Sequence, residues 1–243
     1  MKITVFAGTG DGRELSVYLA NLGAEVTVSV ATEYGAELMA CSGVTVHEGR
    51  LDYEQMRSLI HGSSCVIDAT HPYAAEASRN IFSACKSEDK EYIRLIRPES
   101  HCSGAVYVEN IEDAVRYLED TTGNIFVSTG SNELIKFERI GSRVTARVLD
   151  TEEIHRRCRN MKINRIIYKK PPFDLKDNIE DFKGCRYLVT KDGGTAGGII
   201  EKLKAAELLS MKIIIIKRPC IGSNGYTIED IKRLFFSRLK GIG

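Results

Sequence analysis

The chain has almost no net charge, no pair of cysteines at metal or redox spacing, and no apolar run of membrane-spanning length. Its 34 basic side chains face 33 acidic ones, a formal charge of +1. That balance gives no drive toward nucleic acid or an anionic membrane. Seven cysteines stand at positions 41, 65, 85, 102, 158, 185 and 220. None forms a C-x-x-C pair and the number is odd, which argues against a zinc site and against a secreted disulfide framework. Both facts suit a reducing cytoplasm. Cys65 and Cys185 adjoin apolar runs and read as packing residues. The purest apolar run, Ile213 to Ile216, is strand-sized. The opening Met1-Lys2-Ile3-Thr4-Val5-Phe6-Ala7-Gly8 reaches its first glycine too soon for a signal-peptide core. The expectation is a cytoplasmic protein with no membrane or nucleic-acid partner.

What is present is a regular alternation. Hydrophobic content of 43% and charged content of 28% suit a soluble globular chain, and 243 residues suffice for one large domain or two ordinary ones. Short β-branched runs alternate with helical patterns. Strands are expected at Ile3–Ala7, Glu25–Ala31, Val66–Ala69 and Tyr92–Ile96, with helices at Arg13–Leu22, Tyr53–Ile60 and Pro72–Lys86. Pro98-Glu99-Ser100-His101-Cys102-Ser103-Gly104 breaks the series. A second series follows, with strands at Val106–Val108, Ile125–Ser128, Val144–Leu149, Ile166–Lys169, Tyr187–Thr190 and Ile213–Lys217, and helices at Ile111–Asp120 and Ile228–Leu239. The pattern predicts an α/β protein of two Rossmann-like domains, 1–100 and 101–243. Each would be a mostly parallel sheet with flanking helices, the two facing one cleft. Both series close on a basic residue and proline, Arg97-Pro98 and Arg218-Pro219.

Three strand-to-helix turns carry chemistry. Gly8-Thr9-Gly10-Asp11-Gly12-Arg13 ends the first strand; its glycines let backbone N–H groups close on a phosphate at a helix N-terminus. The match to G-x-G-x-x-G is partial, because Arg13 stands where the third small residue is expected. A structural turn is the competing reading. The second strand ends Val28-Ser29-Val30-Ala31-Thr32 with no acid before Glu33, whereas NAD-binding units carry a carboxylate there. Hydroxyls at Ser29 and Thr32 with Arg13 nearby favour NADPH over NADH.

Asp68-Ala69-Thr70-His71-Pro72-Tyr73-Ala74 places His71 at a strand mouth, with Pro72 expected at the first helical position. A tight connection in which His71 only caps the helix is the alternative. Thr190-Lys191-Asp192-Gly193-Gly194-Thr195-Ala196-Gly197-Gly198 is a second glycine-rich loop, without the Gly-Lys-Ser/Thr close of an ATPase. Ser128-Thr129-Gly130-Ser131-Asn132 reads as an N-cap. Cations at strand ends (Arg94, Arg97, Lys191, Lys217, Arg218) suit an acidic ligand, or are simply solvated termini. Tyr187-x-x-x-Lys191 has the spacing of the short-chain dehydrogenase pair. On a strand, however, those residues lie roughly 13 Å apart, against about 6 Å on a helix, and the match is set aside.

On these residues the chain resembles the precorrin-6A reductase family of cobalamin (vitamin B12) biosynthesis, including its cobalt-precorrin-6A branch. The matching pieces are Gly8 to Arg13, Val28 to Gly35, Gly49-Arg50-Leu51-Asp52, Asp68 to Ala74, Arg94 to Pro98, Val189 to Gly198 with Glu201-Lys202, and Lys217-Arg218-Pro219. They run in family order over most of the chain. Lys170-Pro171-Pro172-Phe173 departs from an expected Gly-Pro-Phe. The resemblance implies an NADPH-dependent oxidoreductase acting on a CH–CH group of an anionic tetrapyrrole. Hydride would come from the nicotinamide and a proton would follow on the neighbouring position, with no metal required. It implies that Gly8, Thr9, Gly10 and Arg13 hold the cofactor and that Ser29 and Thr32 lie by its ribose. The Lys191, Asp192, Gly193 and Gly194 loop would contact cofactor or substrate. His71 and Tyr73 would face the macrocycle as catalytic residues, with Thr70, Arg94, Arg97 and Arg218 on the substrate. A helix N-terminus disfavours imidazolium, so water is the alternative proton donor. Partners would be the substrate and other cobalamin-pathway enzymes. The alternatives are an NADPH-dependent oxidoreductase for a smaller acidic substrate and a non-catalytic NADP-sensing module.

Overall fold

Asp68 is the one acid in a strand whose every residue is buried, and the first sheet is arranged around it. The computed structural model describes residues 1–39, 43–97, 102–193, 198–219 and 225–241. In the first unit β1 (Lys2–Ala7), α1 (Gly10–Asn21), β2 (Glu25–Val30), α2 (Glu33–Met39), β3 (Thr45–Glu48), α3 (Tyr53–His61), β4 (Cys65–Ala69), α4 (Ala75–Ser87) and β5 (Glu91–Arg94) follow in order. The strands form a parallel sheet in the order β3-β2-β1-β4-β5. Ile3, Val5, Val28 and Ile67 pack with Leu15 and Leu19 of α1 on one face. Phe6 and Val66 pack with Met56 and Ile60 of α3 and Ile81 of α4 on the other. This is the doubly wound arrangement expected of βαβ alternation.

The second unit contains β6 (Val106–Val108), α5 (Ile111–Glu119), β7 (Asn124–Ser128), a kinked 3₁₀ stretch (Leu134–Arg143), β8 (Val144–Leu149), α6 (Glu152–Cys158), β9 (Arg165–Lys169), α7 (Leu175–Phe182), β10 (Cys185–Lys191), α8 (Ile199–Leu208) and β11 (Lys212–Ile216). Its parallel sheet runs β6-β11-β10-β7-β8-β9. Phe126, Phe182, Leu188 and Ile215 centre one core. Tyr187 and Lys191 lie along β10, as the rejection of a helical Tyr/Lys pair requires.

The units are Met1–Pro98 with Pro219–Gly243, and Glu99–Arg218. The division therefore differs from 1–100 and 101–243, because α9 (Ile228–Lys240) belongs to the first unit. Ile231 and Phe235 are fully buried in the core with Ile3, Leu15 and Leu19. Tyr226 pairs beside Leu95, donating to the Arg94 carbonyl and accepting from Ile96 N–H, both at 2.9 Å. Gly225 is needed there, since a Cβ would stand 2.3 Å from Ile96 Cγ2. The basic-proline pairs at 97–98 and 218–219 thus mark the two points where the chain changes unit.

A further expectation is corrected. Pro72 does not open α4, which begins at Ala75. It follows His71 in a turn closed by Ala74 N–H on the His71 carbonyl at 2.8 Å, the position after the first turn residue where its fixed φ is suited. The short edge strand β3, mostly polar, gave no strand signal. Among the described residues, no helix is long and apolar enough to cross a membrane.

Phe235→Ala is expected to destabilise the first unit by about 3–5 kcal/mol. Amide exchange should accelerate in β1 and β4 and stay unchanged in β7 and β10; acceleration in the second sheet instead would contradict the assignment of α9.

Candidate active site

In open α/β sheets, ligands bind at carboxyl strand ends where neighbouring strands lead their helices to opposite sides. In the first unit β1 leads to β2 and β4 leads to β5, so the switch lies between Gly8-Thr9 and Thr70-His71. In the second, β7 leads to β8 and β10 leads to β11, so it lies between Ser128–Gly130 and Lys191–Gly193. Sequence motifs and topology pick the same turns.

At the first switch, Thr9 is the extended N-cap of α1 but makes no capping bond with its side chain. Its hydroxyl instead accepts from Arg97 Nη2 at 2.6 Å and reaches the Ala69 carbonyl at 3.5 Å. The first-turn N–H groups of α1 therefore receive no side-chain cap, which is the arrangement an anion uses. Asp11 in that turn would repel one, but Arg97 Nε holds its carboxylate at 2.5 Å. A Cβ on Gly8 would contact His71 N at 3.6 Å. A Cβ on Gly12 would stand 3.0 Å from Ala7 Cβ and 3.2 Å from Ala69 Cβ. Gly12 therefore does the close-packing work that the fingerprint assigns one position later, and Arg13 is exposed.

Behind this turn lies Asp68. Its Oδ1 accepts from Arg94 Nη1 at 2.5 Å, Thr70 Oγ1 at 2.7 Å and Thr70 N–H at 3.0 Å, and its Oδ2 accepts from Tyr92 OH at 2.8 Å. Burial and the Asp68 charge push the Tyr92 phenol far up, so it stays a donor. Arg94 also donates to Thr70 Oγ1 at 2.9 Å, and Ser78 of α4 shares that hydroxyl at 3.1 Å. Thr70 and Arg94 therefore face inward, fixing the strand end. The next residue, His71, accepts Tyr73 N–H on Nδ1 at 3.3 Å, so its neutral ring carries the proton on Nε2. The His71 and Tyr73 rings lie 5.5 Å apart.

Ser29 is buried in β2 beside Phe6 and His47. Thr32 accepts from Gly35 N–H at 3.2 Å and starts α2. Gly10 is the first residue of α1. Burial pushes the Cys65 and Cys85 thiols up to about 12 and raises Cys185 as well; of the two cysteines expected to pack, Cys65 is buried and Cys185 half-buried.

At the second switch, Lys191 Nζ bonds Glu133 at 2.6 Å. Burial raises Glu133, but the Lys191 and Lys136 ammonium groups outweigh it and leave it low. Arg218 donates from Nε to the Asp192 carbonyl at 2.9 Å and pairs its carboxylate at 3.0 Å. Gly193 N–H turns back onto the Lys191 carbonyl at 3.0 Å; Gly194 lies outside the described residues. Thr129 Oγ1 is buried there with no hydrogen-bond partner among the described residues.

A cationic group that sequence reasoning missed lies on the same unit. Buried Arg147 bonds Asp181 at 2.8 Å and Asn178 at 2.7 Å, with its guanidinium 3.8 Å from the Phe173 ring centre. Phe173 of the departing Lys-Pro-Pro-Phe segment thus has a defined packing role. Burial first, then Arg147, bring the Lys202 ammonium down to about 8.

The site residues therefore form two groups. Gly8, Thr9, Gly10, Thr70, His71, Tyr73, Arg94 and Arg97 surround the first switch point, with Arg13, Ser29 and Thr32 toward β2. Lys191, Asp192, Gly193 and Arg218 form the second group. Asp68, Tyr92, Asp11 and Gly12 were missed; the one signal for Asp68 was an acid inside an apolar strand.

These features define a Rossmann-like α/β protein with polar ligand turns at the switch points of both sheets. Residues 2–235 match the family model described as Precorrin-6x reductase CbiJ/CobK, and the chain belongs to that family. It is 32% identical to a cobalt-precorrin-6A reductase of Priestia megaterium over 94% of this chain and 96% of the relative. It is 30% identical to one of Methanothermobacter thermautotrophicus over 94% and 80%. The solved structure of a CobK precorrin-6A reductase superposes with a TM-score of 0.81 at 24% identity, covering 96% of this chain and 95% of that one, which establishes the shared fold.

Asp68→Asn leaves the buried Arg94 without its counter-ion and is expected to cost about 3–5 kcal/mol in denaturant unfolding. A loss below about 1 kcal/mol would show that the buried pair does not hold this strand end.

Proposed function

We propose that this protein reduces one double bond of cobalt-precorrin-6A with NADPH, in cobalamin biosynthesis. The observation that carries the reading is the uncapped α1 N-terminus, with Asp11 neutralised by Arg97, in a chain of the precorrin-6x reductase family. The cobalt form is favoured because the relatives at 30% identity or more bear its name.

The residues present fit such a cofactor. Gly8 and Gly12 keep the turn low against β1 and β4, and the backbone N–H groups of Gly10 and Asp11 would receive the pyrophosphate. The absence of a carboxylate at positions 30–32 and the exposed Arg13 suit a phosphorylated ribose at the end of β2, near Thr32. Ser29, buried, would support that end from within. When bound, the nicotinamide supplies the hydride. His71 and Tyr73 would face the macrocycle, with His71 holding a proton at Nε2 for the carbon next to the one reduced and solvent restoring it. Thr70 and Arg94 would keep that wall in place through Asp68. Arg97 would meet the polar rim of the substrate, and on the second unit Lys191, Asp192, Gly193 and Arg218 would line a polar ligand turn of their own. The orphaned Thr129 hydroxyl supports a polar ligand at the second switch. A cytoplasmic location goes with this reading.

Anaerobic incubation with NADPH and either cobalt-precorrin-6A or precorrin-6A should deplete nicotinamide absorbance and shift the tetrapyrrole spectrum, faster with the cobalt form. No change with either, in protein that binds NADPH, would refute the reading. His71→Ala should lower turnover roughly 10²-fold with unchanged unfolding; an unchanged rate would remove His71 from the site.

A further inference from the structure

The two points where the chain changes unit carry the same device. Arg97, before the first crossing, donates from Nε to Asp11 at 2.5 Å and from Nη2 to Thr9 at 2.6 Å. Arg218, before the second, donates from Nε to the Asp192 carbonyl at 2.9 Å and pairs the Asp192 carboxylate at 3.0 Å. Each arginine precedes a proline, and each aspartate precedes a glycine in the ligand turn of its own sheet. Both arginine side chains are largely buried, 5% and 11% exposed, so water and salt screen these pairs little. Each pair is a latch, and a short path joins the two. Eight residues after Arg218 the chain reaches Tyr226, whose N–H donates to the Arg94 carbonyl and whose carbonyl accepts Ile96 N–H, both at 2.9 Å. Gly225 fits so closely that a Cβ would stand 2.3 Å from Ile96 Cγ2 and 3.0 Å from the Arg94 carbonyl oxygen. The second crossing therefore ends clasped to the residue just before the first latch.

We infer that this connection couples the two ligand turns, so that a nucleotide bound at the β1 turn tightens the Lys191–Gly193 turn of the second sheet. The inference rests on the nicotinamide-nucleotide reading above. A ligand shifts a conformational equilibrium only by binding one state better than the other, and the first latch supplies that difference. With Arg97 on Asp11, a phosphate at the α1 N-terminus meets a neutralised carboxylate. With the pair open it faces the bare charge of Asp11, in the first turn of α1, at close range. Anion binding therefore favours the closed latch, which fixes Arg97 and with it the Ile96–Tyr226 clasp. A fixed Tyr226 narrows the range open to the chain between it and Arg218. Holding Arg218 on Asp192 then costs less conformational entropy. The linkage is reciprocal: a ligand that closes the Arg218 latch strengthens nucleotide binding by the same factor. The other cations of these edges lie off this path, since Arg94 is held by Asp68 and Lys191 by Glu133.

The test is residue-resolved amide hydrogen exchange of the whole protein with and without saturating NADP⁺. Gly193 reports on the second turn, because its N–H closes on the Lys191 carbonyl. In wild type, NADP⁺ should slow exchange at Gly10 and Asp11, and should slow Gly193 by roughly fivefold or more. Gly225→Ala drives a Cβ into Ile96 and opens the clasp; it should keep the response at Gly10 and Asp11 and lose the one at Gly193. Adding Ile96→Ala removes the clashing Cγ2 and should restore most of the Gly193 response. Arg218→Gln, which leaves the clasp intact, should lose that response too, and stands in if Gly225→Ala does not fold. If wild type binds NADP⁺ and Gly193 exchange is unchanged, this inference is wrong while the nucleotide reading stands. A Gly193 response that survives Gly225→Ala and Arg218→Gln would come from direct contact with the nucleotide and would equally overturn it. If NADP⁺ does not bind, both fall.

Discussion

A carboxylate buried in an internal strand of a parallel sheet must be paired or it unfolds the strand, and Asp68 turns that requirement into architecture. Burying one such charge unpaired costs several kcal/mol. Asp68 meets the cost by drawing Arg94 from the neighbouring β5, the Tyr92 hydroxyl from the same strand, and both donors of Thr70. Because Thr70 is locked, the chain leaves β4 in one direction, and His71 emerges beside the glycine turn of β1. The pairing of β4 with β5 and the placement of His71 are thus one event.

A similar economy of charge governs the rest of the carboxyl edges. Arg97 neutralises Asp11 and takes the Thr9 hydroxyl, so the same side chain removes a repelling carboxylate and frees the α1 N-terminus from its own cap. In the second unit Arg218 pairs with Asp192 and Lys191 with Glu133. These cations are spent on building the turns, which is why a basic strand end does not by itself mark an anion site.

The alternation of β-branched and amphipathic segments made the two parallel sheets legible, and nearly all their strands fall where the sequence places them. The glycine turns and the Thr-His-Pro-Tyr mouth were legible for the same reason: each joins an apolar strand to a helix. Three things were not. The return of α9 to the first unit depends on Phe235 and Ile231 meeting Leu15 and Leu19, contacts that linear order hides; the repeated basic-proline pair was read only as the close of two similar sheets. The close-packing role of Gly12 needed the distance to Ala7 and Ala69, since a pattern anchored on position 13 overlooks it. The inward commitment of Thr70 and Arg94 followed from Asp68, whose burial is invisible until β4 is seen to lie between β1 and β5.

On the reading proposed above, the β1/β4 switch point of the first unit receives the nicotinamide nucleotide. Amide chemical-shift mapping of the isotope-labelled protein during NADP⁺ titration locates the bound nucleotide. The largest perturbations are expected at Gly8, Gly10, Asp11, Thr70 and His71, with smaller ones near Thr32. Perturbations confined to Ser128–Gly130 and Lys191–Gly193 would place the nucleotide on the other sheet and contradict it.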